Sequence, residues 1–221
     1  MFYLLHKKSF FLQTLSTAGE MSRFLDWQQK TFSDYTYSFN KRSLYKSILA
    51  KIKKTGNFSV LEFGTAHGEK TKMIAKNTIA SEVSSIHSFD RFTGLPRSWR
   101  DMNEGAFTNH GKFPRIFDER ILWYKGNVEE TIHALDVLEL KKQLFVIFDL
   151  DLFEPTSYLY NFLEPYLKPG DIVYFDEAFD PDENKVLMHF LDDFQVHFLG
   201  TTGMAICFEV DRRTREFEDL E

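Results

Sequence analysis

From residue 58 onward, short apolar runs alternate with amphipathic stretches long enough to be helices, and this alternation limits the possible folds more than any other feature of the chain. The runs are FSVLEF (58–63), SSIHSF (84–89), ILWYKG (121–126), QLFVIF (143–148) and DIVYF (171–175), with helical stretches near 68–80, 127–140, 154–167 and 181–194. A strand followed by a helix and another strand is the βαβ pattern. The chain therefore reads as α/β, a Rossmann-like sheet of five parallel strands with helices on both faces. The ending differs. QVHFLG (195–200) and MAICFEV (204–210) are separated only by Thr201, Thr202 and Gly203. That link is too short for a parallel crossover, so the last two strands form an antiparallel hairpin, unlike the usual doubly wound dinucleotide-binding sheet. Residues 1–55, polar and rich in aromatics, read as an N-terminal helical extension, which leaves 56–221 for the α/β domain.

Composition bounds the partners. At 221 residues the chain fits one domain plus an extra helical layer, and 27 Lys and Arg against 33 Asp and Glu give a net charge of -6. That sign opposes a protein that tracks phosphate backbones, so no nucleic-acid partner is expected. A single cysteine, Cys207, rules out an intrachain disulfide and a Cys-rich zinc site and suits a reducing, cytoplasmic setting. The opening MFYLLHKKSFFLQTLSTAGE does not read as a secretion signal: its basic residues follow the apolar stretch, and Gln13 and Thr14 interrupt the next one. No window is apolar enough for a membrane span. The 24 phenylalanines imply several packed faces or a self-association surface, and a homodimer is the preferred oligomer.

Three clusters carry chemistry. In LEFGTAHGEKT, Glu62, Gly64 and Gly68 form an E-x-G-x-x-x-G turn from strand into helix, where glycines permit both a sharp turn and close backbone approach to a ligand. Asp90 ends the second run, about 20 residues on, where an acid can accept both hydroxyls of a ribose. Together they read as a nucleoside site; a bare turn and a strand-end cap are the plain alternative. At the ends of the fourth and fifth runs stand Asp149, Asp151, Asp176 and Glu177. In an open α/β sheet these ends face the ligand crevice, and carboxylates converging there need a cation or a proton. All-oxygen ligation points to a hard ion, magnesium first, then manganese or calcium, with Asp149, Asp176 and Glu177 as ligands. Asp151 could instead cap the helix near Pro155, and helix caps with solvated loop acids are the alternative for the whole set. Finally, residues 91–120 make a connection too long for an ordinary turn; they carry Arg91, Phe92, Arg97, Trp99, Phe107, His110 and Phe113 and read as a lid-like insertion.

The order LEFGTAHGEKT, SFDRFTGLPRSW with GAFTNHGKFP, FDLDLFEPT, KPGDIVYFDEAF and the closing hairpin resembles class I S-adenosylmethionine-dependent methyltransferases, and more narrowly the macrocin O-methyltransferase (TylF-type) group. The resemblance covers roughly residues 40–210. It implies an S-adenosylmethionine cofactor, with Glu62, Gly64, Thr65, His67 and Gly68 along its methionine end, Asp90 and Arg91 at the ribose, Gly126, Asn127 and Val128 at the adenine edge, and Asp149 also beside it. It also implies Mg2+ on Asp149, Asp176 and Glu177, and methylation of a hydroxyl on a sugar or natural-product-like small molecule. His67 and Arg91 depart from the pattern of that group. Asp149 would carry the metal-assisted step, with His110 or Asp151 as the base. A nicotinamide-dependent oxidoreductase and a non-catalytic nucleoside-binding module are the rival functions. The first is opposed by the missing third glycine and the hairpin, the second by the four crevice acids.

Overall fold

The computed structural model describes residues 2–33 and 36–214, with side chains from Thr14 onward; His6 and the acidic end of the chain past residue 214 lie outside the described side chains. Helices α1 (Phe2–Thr31) and α2 (Lys41–Thr55) precede strand β1 (Phe58–Phe63). Then follow α3 (Glu69–Asn77), β2 (Val83–Asp90), β3 (Ile121–Lys125), α4 (Val128–Thr131), α5 (Val137–Leu140), β4 (Gln143–Phe148), α6 (Phe153–Leu163), β5 (Ile172–Phe175), α7 (Pro181–Asp193), β6 (Phe194–Thr201) and β7 (Ile206–Arg213). The seven strands form one sheet in the order β3-β2-β1-β4-β5-β7-β6, parallel from β3 through β5 and antiparallel at β5–β7 and β6–β7. The α/β reading with its terminal hairpin is therefore what the chain adopts. None of the described helices is long and apolar enough to cross a membrane.

Helix positions follow local chemistry. α2 starts at a capping box, in which the Asn40 side chain accepts from the Ser43 amide and the Ser43 hydroxyl meets the Asn40 amide. Its buried Leu44, Tyr45, Ile48, Leu49 and Ile52 recur at helical spacing and lie on the sheet face that α3 also covers. α1, α6 and α7 pack on the opposite face, where Phe24, Leu159, Leu163, Val186 and Phe190 join the larger core.

Two expectations are adjusted. The stretch 127–140 is not one helix: Asp136 accepts the Leu138 amide and starts α5 afresh after a 3₁₀ turn at Ile132–Ala134. The last strand, read as 204–210, runs on through Arg213, because Arg212 and Arg213 pair with Gln195 and Phe194.

Candidate functional site

The register of the parallel strands lines up one aromatic row. Tyr124, Phe89, Phe63, Phe148 and Phe175 are register partners across β3-β2-β1-β4-β5, with neighbouring ring centroids 4.2 to 6.1 Å apart. The next residue on four of these strands is Gly64, Asp90, Asp149 or Asp176. The backbone carries the row one step further: Gly64 N–H donates to the Phe89 carbonyl, Asp149 N–H to Phe63 and Asp176 N–H to Phe148, each at 3.0 Å. Side chains alternate along a strand, so Asp149 and Asp176 turn from the aromatic side toward the face covered by α2 and α3. A cavity of about 680 Å³ opens over this line, within the range of small-molecule sites.

One half of the cavity is made mostly of backbone. Gly64 has φ +90°, and a Cβ there would lie 1.7 Å from the Asp149 carbonyl oxygen, so β1 and β4 can converge at their ends only with glycine. Gly68 serves the insertion: a Cβ would lie 2.9 Å from Pro114 Cβ. Asp90 holds the loop, with Oδ2 accepting the Ala66 N–H at 2.8 Å and Oδ1 accepting the Phe92 N–H. A carboxylate has lone pairs for about four hydrogen bonds, so capacity is left on the cavity side. Gly64, Ala66, Asp90 and Arg91 line this half, with Gly126, Asn127 and Val128 at its far edge. These groups suit a nucleoside-bearing cofactor, since Asp90 can accept hydroxyls and Arg91 keeps a buried Nη1 with no hydrogen-bond partner among the described residues.

Acids fill the other half. Asp149, Asp151, Asp176 and Glu177 all line it. Lys41, from α2, donates to Asp176 Oδ2 and to Glu177 Oε1, each at 2.7 Å, and Lys70, from α3, pairs with Asp149. Burial alone would lower both lysines, but Asp176 and Glu177 at Lys41, and Asp149, Asp176 and Glu62 at Lys70, hold them above their ordinary value. Burial would raise Asp176, yet the Lys70 and Lys41 charges outweigh it and keep its pKa low. Burial and the Asp176 charge push Asp149 well up. Asp151, held at φ 64°, is pushed up to about 7, by burial first and then by Glu177 and Asp176. Behind them Glu183, fully buried, accepts the Glu177 N–H at 2.7 Å. Burial, then the Asp176 charge, raises its pKa well above the ordinary value.

These acids do not fit the expected magnesium site. One oxygen each of Asp149, Asp176 and Glu177 is engaged by an ammonium group, and among the described residues no group of three His, Cys, Asp or Glu side chains could hold a metal ion. The countercharge that convergent carboxylates require comes from lysine. Lys41 and Lys70 carried no local signal, for they reach across 135 and 79 residues of sequence. The strand-end line did carry one: an aromatic followed at once by Gly or Asp, four times over, at Phe63-Gly64, Phe89-Asp90, Phe148-Asp149 and Phe175-Asp176.

Residues 91–120 contribute Arg91, Leu95, Pro96, Arg97, Trp99 and Phe107 to the cavity wall. Arg100 ties this segment to two helices, donating to Asp180 at the start of α7 and, at 2.9 Å each, to Glu20 and Thr17 of α1. Arg97 reaches Glu154 at 2.6 Å between two exposed side chains. Other expected residues are placed elsewhere. Glu62 is fully buried behind the cavity, accepting from Thr71 and Ser88. Thr65 is buried with its hydroxyl on the Phe89 carbonyl. His67 and His110 are exposed and outside the cavity lining, and Phe92 is fully buried in an edge-to-face pair with Phe113. His110 cannot serve as a base from there without a rearrangement, because the turn from Thr108 to Lys112 directs it outward.

No family model matches the chain, and no curated protein matches it. Solved structures do. A structure described as CalS11, calicheamicin methyltransferase, aligns with TM-score 0.61 and 20% identity over 87% of this chain and 91% of that one. The O-methyltransferase NovP aligns with TM-score 0.58 and 14% identity over 77% of this chain and 79% of that one. An apo structure of CalS11, described as a TDP-rhamnose 3'-O-methyltransferase of calicheamicin biosynthesis, gives TM-score 0.54 and 20% identity over 87% and 93%. The chain thus has the Rossmann-like fold of these methyltransferase structures, with the same mostly parallel sheet closed by an antiparallel hairpin.

Proposed function

We propose that this protein is an S-adenosylmethionine-dependent methyltransferase that methylates a hydroxyl of a sugar or natural-product-like small molecule. The observation that carries this reading is the cavity itself, a nucleoside-fitting half meeting an acid half along one line of strand ends. The cofactor supplies a methyl group already activated on a sulfonium. Burial and neighbouring carboxylates raise Asp149 and Asp151, so a cationic group beside them would favour their charged forms. Asp90 takes the ribose hydroxyls, and Gly126 to Val128 border the base. The insertion excludes water with Leu95, Trp99 and Phe107. When bound, the cofactor would present its methyl carbon to an acceptor hydroxyl, the carbon–sulfur electron pair staying on sulfur, and the chain's own part would be a base for the hydroxyl proton. Asp151 fills that role: it faces the cavity, and among the described residues no hydrogen bond or ion pair occupies its carboxylate. A base whose conjugate acid titrates near the working pH is well matched to the task. Positioning supplies most of the acceleration. The structural neighbours' names support transfer to oxygen on sugars and natural products. Magnesium has no part in this reading, because lysines hold the acids.

The test is calorimetric titration of the dialysed protein with S-adenosylhomocysteine and, separately, NAD. Micromolar binding of the first and none of the second is the expected result. Binding of NAD alone would hand the site to the oxidoreductase reading, and binding of neither would leave the cavity without its cofactor.

A further inference from the structure

A second cavity, of about 700 Å³, lies between the N-terminus of α2 and the exposed side of α3; Asp176 lines both cavities, and Lys41 and Lys70, which pair with acids of the first, line the second. Its lining carries five cations, Lys41, Arg42, Lys70, Lys72 and Lys76, against Glu69 and Asp176. Lys41 and Lys70 are spent on the crevice acids. Arg42, Lys72 and Lys76 are exposed and, among the described residues, have no ion pair or hydrogen bond.

Lys76, in the last turn of α3, suits the helix dipole, but Arg42 and the Lys72–Lys76 spacing oppose local preference. Arg42 sits in the first turn of α2, which holds no acidic residue, so its charge meets the positive end of the helix dipole. Lys72 and Lys76 stand four apart on α3, where like charges repel. A fourth observation is independent of charge: Tyr45 lines the same cavity, and its hydroxyl is buried with no hydrogen-bond partner among the described residues. A chain of net charge -6 thus concentrates unpaired cations and an idle buried donor at one groove. An anion there would relieve the dipole clash and the lysine repulsion.

We infer that this groove is the acceptor's anion subsite and binds a phosphate or diphosphate ester carried by the hydroxylated substrate. Arg42, Lys72 and Lys76 take the phosphate oxygens, and the substrate's sugar passes Asp176 toward Asp151. The assignment of the groove to the acceptor rests on the methyltransferase reading; the anion site itself does not.

The test compares the wild-type chain with the R42Q/K72Q/K76Q variant, whose three changes are on the surface. Calorimetry at low ionic strength uses three probes: inorganic diphosphate, a nucleoside diphosphate sugar, and S-adenosylhomocysteine. The wild type should bind both phosphate compounds, the sugar-linked one more tightly and both more weakly as salt rises, and the variant should lose about tenfold or more in affinity for each. S-adenosylhomocysteine should bind both proteins alike. The ligand-free variant should also melt within a few degrees of wild type, because its three changes are on the surface.

Absence of diphosphate binding to the wild type, or equal binding to the variant, overturns the site. Diphosphate bound more tightly than its sugar ester overturns the acceptor assignment and leaves a bare anion site. Loss of S-adenosylhomocysteine binding in both proteins, with diphosphate binding intact, sinks the methyltransferase reading and spares the groove.

Discussion

On the β1-β2-β3 side of the cavity the polar groups are mostly main chain: a glycine turn, the Ala66 and Phe92 amides gathered by Asp90, and the Gly126 to Val128 edge. On the β4-β5 side they are carboxyls, held in place by ammonium groups arriving from helices that precede those strands in the chain. A backbone cradle is shaped by covalent geometry and tolerates little substitution, but it has no charge to lose. A cluster of like charges is shaped by its counterions, and each partner removed leaves a charge stranded. The two halves should therefore fail in different ways when disturbed.

The largest failure is expected on the backbone side. In Gly64→Ala the new Cβ would meet the Asp149 carbonyl at 1.7 Å with φ held at +90°, so the ends of β1 and β4 must separate. A loss of about 4 kcal/mol or more in unfolding free energy, or no soluble protein at all, should appear in urea denaturation. A variant of near wild-type stability would mean that the two strand ends are not in contact as described.

Next comes the acid half and its chemistry. Asp151→Asn keeps a residue that tolerates φ 64° but removes the base, so turnover should fall by about 10²- to 10⁴-fold while S-adenosylhomocysteine affinity holds. In the wild type kcat/KM should rise with pH through an apparent value near 7, and the variant should lose that limb. The stability sign is opposite. A carboxyl raised above its unfolded value binds its proton more tightly in the fold, so its ionisation destabilises as pH climbs from about 4 to 7. Asp151→Asn should consequently melt several degrees higher than wild type at pH 8 and no higher at pH 4. Unchanged turnover would remove Asp151 from the mechanism.

Lys70→Met probes the countercharge. It leaves Asp149 facing Asp176 with no ammonium beside it, and the Lys70 side chain is mostly buried. A loss of about 2–3 kcal/mol at pH 8 is expected, below the full figure for a buried pair because the cavity admits water. The loss should shrink as pH falls and protonation relieves Asp149; a pH-independent loss would point to packing instead.

These contrasts also explain what could be read from the chain in advance. The alternation of apolar runs and the three-residue link before the last strand are local, so the sheet and its hairpin were legible, as was the strand-end line of Gly64, Asp90, Asp149 and Asp176. The helix over 127–140 was not, because the Asp136 cap restarts it midway. Nor were Lys41 and Lys70, since nothing near Asp176 or Asp149 in sequence announces which of 27 basic residues will fold against them. Four acids without visible partners implied a metal ion; the tertiary fold supplies lysines. His67 and His110 lie outside the cavity lining for the converse reason, since a loop histidine next to a motif in sequence can still be exposed to solvent.

The smallest expected effect bears on that substitution of lysine for metal. If ammonium groups supply the cluster's countercharge, treating the wild type with EDTA and then adding magnesium should change methyl transfer by less than about twofold at either step, because no ion polarises the acceptor. The comparison sharpens in Lys41→Met, where Asp176 and Glu177 lose the ammonium between them and regain free oxygens for a hard cation. Manganese, followed by its electron paramagnetic resonance signal, should bind this variant measurably more tightly than the wild type. Activity abolished by EDTA and restored by magnesium in the wild type would mean that the lysines step aside for an ion, and the acid half would then be a metal site whose ligands the ammonium groups only guard.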